Sequence, residues 1–388
     1  SSAAEQAGIP APRRPWMPDL ARSYDLQFLG QRRDTELAIG VLDDPAHQEQ
    51  RTAFFRPDED GNMAVFGTSG AGVSTVLRTL AVSAGITPRS GPCQVYGLDF
   101  GTGGLRMLEG LPHVGSVISG DDSERVTRLI SMLRAMVDDR ADRYSAVRAS
   151  TITEYRRLAE RPDEPRILLL LDGLGAFRDA YEMANYGAIF TAFTQLAAAG
   201  RPVGIHVIVT ADRPNVVPST LNSTVQRRLV LRLADDNDYM LLDIKPDVIG
   251  GNAAPGRGVI DGFDVQVAVF GGHVNVADQA AAIERFAETM RAHGVPDAPP
   301  VRRLPEIVRA SELPAMVGSR VTIGMADDTL DAVAIEPSGL FLISGPPGSG
   351  RTTSLASIVS TVRRNSMHTR GYYIGNSRSP LPRMLPWH

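Results

Sequence analysis

The segment that most restricts what this chain can become is Gly67-Thr68-Ser69-Gly70-Ala71-Gly72-Val73-Ser74-Thr75. The apolar run Asn62-Met63-Ala64-Val65-Phe66 precedes it and reads as a short buried strand; Val76 to Ala84 follows with helical spacing. A glycine-rich turn between a strand and a helix is the layout of the phosphate-binding P-loop, GxxxxGK[ST]. Its glycines let the backbone fold so that successive N–H groups point at phosphate oxygens, and the helix N-terminus adds a favourable dipole. Ser74 carries the hydroxyl expected to ligate Mg²⁺ on a bound nucleotide. The lysine is missing, and Val73 stands in its place.

Two unit charges about 4 Å apart at a dielectric near 20 interact by roughly 4 kcal/mol before desolvation. The loss predicts weakened ATP binding. Transition-state stabilisation should suffer more, because the lysine helps neutralise charge on the transferring phosphoryl. The competing reading is a glycine-rich β–α turn that binds nothing.

Arg166-Ile167-Leu168-Leu169-Leu170-Leu171-Asp172-Gly173 supplies the partner motif. It is an apolar strand ending in an acid, 105 residues beyond Gly67 (67 to 172). That is a Walker B reading, with Asp172 holding Mg²⁺ through water or through Ser74. Apolar strands ending in aspartate are common, so the motif gains its weight from following the P-loop in the right order. Active motors usually place a second acid after this aspartate to polarise the attacking water. Gly173 has no side chain to do so. Lysine and water-activating acid are both absent, which predicts a domain that holds nucleotide or is merely structural.

Candidate strands are Ala64–Phe66, Gln94–Leu98, Ile167–Leu171, His206–Thr210, Arg228–Leu233 and Val265–Val269. Helical patterns cover Glu124–Asp139, capped by Asp121-Asp122-Ser123, and also Ala188–Ala198 and Gln279–Met290. Alternation of this kind predicts an α/β P-loop NTPase fold of RecA/FtsK type, a mostly parallel sheet flanked by helices. The expected organisation is a proline- and arginine-rich extended lead-in over residues 1–22, anchored by Trp16 and Leu20, and a degenerate ATPase domain over 23–293. A proline-rich linker over 294–317 and a second domain over 318–388 follow.

That second domain is a restart. Ile39-Gly40-Val41-Leu42-Asp43-Asp44 recurs as Ile323-Gly324-Met325-Ala326-Asp327-Asp328. Strand, P-loop and helix return as Leu340–Ser344 and Gly345-Pro346-Pro347-Gly348-Ser349-Gly350-Arg351-Thr352-Thr353, 278 residues on (67 to 345). Arg351 keeps the lysine's charge in bulkier form, and Thr352 is its Mg²⁺-ligating hydroxyl. Gly371–Ile374 would be its next strand. The copy lacks its own Walker B strand, so the tandem repeat is incomplete and the natural chain is expected to continue past His388.

Bulk properties exclude several classes. The 388 residues carry a formal charge of -4 with 43% hydrophobic content, enough core for more than one globular unit. Mild acidity gives no electrostatic case for nucleic acid. Cys93 is the single cysteine, so no intrachain disulfide forms and a reducing compartment fits. No apolar run approaches a membrane span, no signal peptide is visible, the histidines lack zinc spacing, and no GxSxG elbow supports serine-hydrolase chemistry.

Three stretches carry a resemblance: Leu98-Asp99-Phe100-Gly101-Thr102-Gly103-Gly104-Leu105, Leu111-Pro112-His113-Val114-Gly115, and Gly204-Ile205-His206 through Thr210 to Pro214. They resemble the FtsK/SpoIIIE family and, within it, the EccC-like motor ATPases of type VII secretion, as a second ATPase domain plus the opening of a third. Pro300-Val301-Arg302-Arg303-Leu304-Pro305 resembles the family's interdomain linker. The resemblance implies two more losses. Asp212 fills a slot where active members carry glutamine, and an acid there would repel a γ-phosphate. Tyr239 falls where a neighbour-reaching arginine is expected. Arg213, Arg227 and Arg228 remain, although surface cations are more often solvated than catalytic.

By the same resemblance, ATP and Mg²⁺ are the cofactors, and the partners are other ATPase domains of the motor, secretion-complex subunits and small helical-hairpin secreted substrates. The location is the cytoplasmic face of a bacterial plasma membrane. The alternatives are a DNA-translocase segment of FtsK type and a nucleotide-free scaffold binding peptide or partner domains.

Overall fold

The computed structural model describes residues 17–30, 33–87, 90–246, 248–251, 253–327, 329–336, 338–365, 368–376 and 378–387. Two compact units divide between Val301 and Arg302.

The first unit is built on ten strands: β1 Leu37–Asp44, β2 Glu49–Phe55, β3 Asn62–Phe66, β4 Cys93–Asp99, β5 Val114–Ser119, β6 Arg166–Asp172, β7 Ile205–Ala211, β8 Val225–Leu231, β9 Arg257–Ile260 and β10 Phe263–Val267. Their order is β2-β1-β10-β9-β8-β3-β7-β6-β4-β5. From β8 to β5 all neighbours run parallel. Beyond β8 the strands β9, β10, β1 and β2 add antiparallel. The sheet thus has the predicted parallel part, over six of its ten strands, and adds an antiparallel edge of four to make a mixed sheet. Of the missed hairpin strands, β9 has only four residues and β2 is largely exposed or half-buried, whereas β1 is buried along almost its whole length but is interrupted by Gly40 and ends in Asp43-Asp44.

Both faces of the sheet are covered. Ile167, Leu169 and Leu171 enter one buried cluster with helices α2 (Ser123–Ala146), α4 (Leu174–Tyr181) and α5 (Ala188–Ala199). Leu168 and Leu170 enter the other, with α1 (Val73–Ala84) and α7 (Val276–Ala292). Burial on both faces is why β6 reads as an unbroken apolar run rather than an alternating one. Helix α2 starts where its cap predicts, the Asp122 carboxylate accepting from Arg125 N–H. Helix α3 (Ile152–Leu158) follows α2, and helix α6 (Asp236–Leu241) follows β8.

The strands' amino ends hold a buried ion network. Arg166 bonds Asp58 through both guanidinium arms at 2.6 and 3.0 Å and Asp34 at 2.9 Å, and Arg156 joins Asp34 at 2.7 Å. Burial alone would raise Asp34, but Arg166 and Arg156 hold it below the ordinary carboxylate range. His206 accepts from Arg166 at Nε2 and lies 2.9 Å from Gly61 O through Nδ1; burial and that cation push it down to about 3. These charges are mutually paired, at the edge opposite Asp172.

Leu20 is buried, and its carbonyl accepts from Arg257 at 2.8 Å; Trp16 lies outside the described residues. At the other end, Ala298 N–H donates to Pro112 O, Tyr96 Oη to Pro299 O, and Val301 N–H to Ser116 Oγ. The first compact unit thus runs through Val301, past the expected domain end at residue 293.

The second unit holds a three-stranded antiparallel sheet, β11 (Met316–Val317), β12 (Arg320–Met325) and β13 (Ala332–Ile335), and helix α8 (Arg351–Asn365). The β12–β13 bulge between Thr322 and Gly324 falls where the β1–β2 bulge between Ala38 and Gly40 does, 284 residues on (40 to 324). Asp328, the last residue of that recurring motif, lies outside the described residues. Leu340–Ser344 and Gly371–Ile374, expected as strands, are not strands. Leu340 and Ile374 are 96% and 98% exposed. A strand exists only through a hydrogen-bonded neighbour strand, and neither segment joins the three-stranded sheet of this unit among the described residues. No helix among the described residues is long and apolar enough to cross a membrane.

Candidate nucleotide site

Strand β3 delivers Gly67 to the carboxyl edge of the parallel strands, and three neighbouring segments then hold the loop. Gly67 N–H donates to Ala211 O at 3.0 Å, at the end of β3's neighbour β7. Thr68 donates through N–H and Oγ1 to Arg232 O, just past β8, at 2.9 and 3.1 Å. Ala71 O accepts Gly256 N–H at 2.7 Å from the lead-in to β9. Gly70 and Gly72 take positive φ, 78° and 106°, before α1 begins at Val73. Left-handed residues ahead of a helix N-terminus form an anion-binding concavity, and Ser69 and Gly70 leave its rim exposed. Val73 is half-buried and packs inward against the α1-side core, close over Gly67.

Asp172, at the end of β6, is buried and fully engaged. Its Oδ2 accepts from Ser74 Oγ at 2.7 Å and its Oδ1 from Thr210 Oγ1 at 2.7 Å. Thr210 in turn accepts from Gly173 N–H at 2.8 Å. β7 lies between β3 and β6, so its threonine bridges the space that the loop and the acid must cross. Sequence reasoning quoted Thr210 without giving it this role; a polar residue closing an apolar strand beside the acid was the available signal.

Asp99, paired with Asp172 in the β4–β6 register, anchors a glycine loop. Its carboxylate accepts N–H groups of Gly101, Gly103 and Leu105 at 3.1, 3.3 and 2.9 Å. That loop lies against the site: a Cβ on Gly101 would meet Asp172 Oδ2 at 3.2 Å, and one on Gly104 would meet Ser74 Oγ at 3.3 Å.

The position after Asp172 is shut by backbone. Gly173 has φ +88°, and a Cβ there would lie 3.1 Å from both the carbonyl carbon and oxygen of Phe100. Phe100 is fixed by its N–H on Asp172 O at 2.8 Å and by edge-on packing on Phe177 and Tyr181. An L-residue at this φ is strained even before the contact. An acid at this position would thus meet both a strained φ and the Phe100 backbone.

The remaining slots resolve individually. Asp212 and Arg213 are more than half exposed and 4.0 Å apart. Arg227 pairs with Asp60 and Asp261, and Arg228 donates to Asn222. Tyr239 on α6 is 3% exposed, and its Oη accepts Leu233 N–H at 2.7 Å, so the side chain closes the β8 exit. Among the described residues no three acids, histidines or cysteines gather to hold a metal. Mg²⁺ usually keeps waters and substrate phosphates and takes only a few protein groups, and the Ser74–Asp172 pair fits that demand.

In the second unit the loop Gly345 to Thr353 keeps the same internal pattern. Gly348 and Gly350 have φ +83° and +87°, and α8 begins at Arg351. Ser349 N–H reaches Pro346 O as Ala71 N–H reaches Thr68 O.

The FtsK/SpoIIIE family model matches residues 31–287. Among curated relatives, the ESX secretion system protein EccC of Thermomonospora curvata is 30% identical over 95% of this chain and 29% of its own length. The ESX-1 secretion system protein EccCb1 of Mycobacterium tuberculosis is 27% identical over 96% of this chain and 66% of its own length. The chain therefore spans from under a third to about two thirds of these relatives. Among solved structures, Thermomonospora curvata EccC (ATPases 2 and 3) in complex with a signal sequence peptide superposes with TM-score 0.73 at 28% identity, over 92% of this chain and 66% of that one. The cytoplasmic domain of the same organism's type VII secretion ATPase EccC gives 0.75 at 28%, over 95% and 44%. With an α/β P-loop architecture, a Ser74–Asp172 pair at the carboxyl edge and this match, the chain belongs to the FtsK/SpoIIIE family and is closely related to its EccC-type secretion ATPases.

Proposed function

We propose that this chain is a degenerate ATP-binding module of a type VII secretion motor, holding ATP with Mg²⁺ and turning it over negligibly. Gly67 to Thr75 wrap the phosphates; Ser74 and Asp172 hold the metal, whose charge offsets that of the phosphates. The loop Gly345 to Thr353 is a second such cradle, with Arg351 supplying charge and Thr352 the hydroxyl. No residue is assigned a catalytic role.

The observation that carries this reading is Gly173, with its left-handed φ and Phe100 backbone at 3.1 Å, beside a nest whose glycines are intact. Binding geometry is kept while the place for a water-orienting acid is occupied. Work is then done by conformation: nucleotide shifts the balance between domain arrangements by as much as its affinity differs between them. The partners are further ATPase domains of the motor, secretion-complex subunits and small helical-hairpin substrates, at the cytoplasmic face of the membrane. The relative in complex with a signal sequence peptide supports substrate binding by such domains.

Calorimetric titration of the chain with ATP and ADP, with and without Mg²⁺, tests the reading. Saturable binding that weakens on Mg²⁺ removal and on Gly72→Val is expected. A flat titration for both nucleotides would favour the scaffold.

A further inference from the structure

Arg78 sits on α1 one turn beyond Ser74 and Thr75 and is 7% exposed. A buried guanidinium is costly, and burial lowers its pKa although Asp172 and Asp99 oppose that. Its arms reach in two directions. Nη2 donates to Thr75 Oγ1 at 2.8 Å, and Nη1 donates to Gly104 O at 3.1 Å. Its Nε has no acceptor among the described residues. An under-satisfied buried charge of this kind needs an explanation beyond packing. Thr75, accepting from Nη2, keeps its own O–H free to donate at the start of α1, where the anion nest opens. Gly104, at the other end of the bridge, faces Ser74 so closely that a Cβ on it would lie 3.3 Å from Ser74 Oγ.

We propose that Arg78 is a positioning residue that ties Thr75 to the Gly101–Leu105 loop, so that a nucleotide phosphate in the Gly67–Thr75 nest tightens that loop. The inference rests on the nucleotide-holding reading above. An anion beside Thr75 offsets the cost of burying the guanidinium and holds it in place. Arg78 then holds the Gly104 carbonyl, and the N–H bonds of Gly101, Gly103 and Leu105 to Asp99 open less often. Lysine could not replace it, because one ammonium on a flexible stem lacks the rigid fork that spans two acceptors.

Hydrogen exchange of the whole chain with and without saturating ADP tests this, with saturation of each variant verified by calorimetry. In the unsubstituted protein ADP should slow exchange across Gly101–Leu105 about tenfold, equivalent to about 1.4 kcal/mol. Arg78→Gln and Arg78→Lys should bind ADP at higher concentration yet lose that slowing. A merely structural arginine would change the basal rate and leave the ADP-induced difference intact. If Arg78→Gln fails to fold, Thr75→Val decides at verified ADP saturation, since it keeps the guanidinium and removes the hydroxyl that links it to the nest. Its slowing should also disappear. Bound ADP without slowing in the unsubstituted protein, or slowing retained in the variants that fold, overturns the proposal and leaves nucleotide holding intact. No binding of ADP or ATP to the unsubstituted protein overturns both.

Discussion

The two glycine loops of this chain have the same internal geometry and opposite surroundings. Both pair left-handed glycines two residues apart, at 70 and 72 and at 348 and 350, and both lead directly into a helix. The first is bonded to segments at the ends of β7, β8 and the approach to β9, and its hydroxyl has met an acid. The second follows Leu340–Ser344, which lacks strand partners among the described residues. Loop conformation is thus written locally, in glycine spacing and helix start. The acid, the bridging threonine and the shut position at Gly173 come from strands far apart in sequence.

The largest expected effect concerns that shut position. Gly173→Glu should destabilise the first unit by roughly 3–5 kcal/mol, combining backbone strain with a clash on Phe100. Chemical denaturation measures it, and an unchanged midpoint would mean that Phe100 yields and the slot is open. Val73→Lys, by contrast, should keep the fold. It should tighten ATP by about a hundredfold, equivalent to about 2.7 kcal/mol, with turnover staying far below about 1 s⁻¹. The second loop already carries Arg351, so its affinity should be insensitive to this change.

His113 separates the units by pH. Its ring lies 2.8 Å from Ala81 O through Nε2, beneath α1, and burial pushes it down to about 4 from 6.5. The unfolded chain then binds the extra proton between those values, so stability is lost as pH falls through that window. From pH 7 to 5 the first unit should lose about 2 kcal/mol from this group. His113→Gln should flatten that part of the denaturation profile. The smallest effect is at Tyr239: Tyr239→Phe removes the acceptor of a buried N–H and should cost about 1–2 kcal/mol without changing nucleotide affinity. A change in affinity there would restore a functional role to that slot.

Much of this was legible in the sequence because it is local. Glycine spacing fixed the loop, unbroken apolar runs marked β6 and β7, and Asp122 marked the start of α2. What escaped depends on tertiary neighbours. Strand β2 is half-exposed and lacks a strong run, and β1, although buried, carries Gly40 and ends in two aspartates, so only its neighbours in the sheet identify it as a strand. Thr210, Asp99 and Arg78 gain meaning only when β7 and β4 lie beside β6. Leu340–Ser344 reads as a strand by composition, but composition cannot supply the neighbour that makes it one.

The most direct test is a single-turnover experiment with protein in excess over γ-labelled ATP and Mg²⁺, quenched over an hour. Intact ATP should be recovered bound to the protein, at the same level throughout. Release of labelled phosphate in a first-order phase near about 1 s⁻¹, abolished by Gly72→Val, would contradict nucleotide holding without turnover.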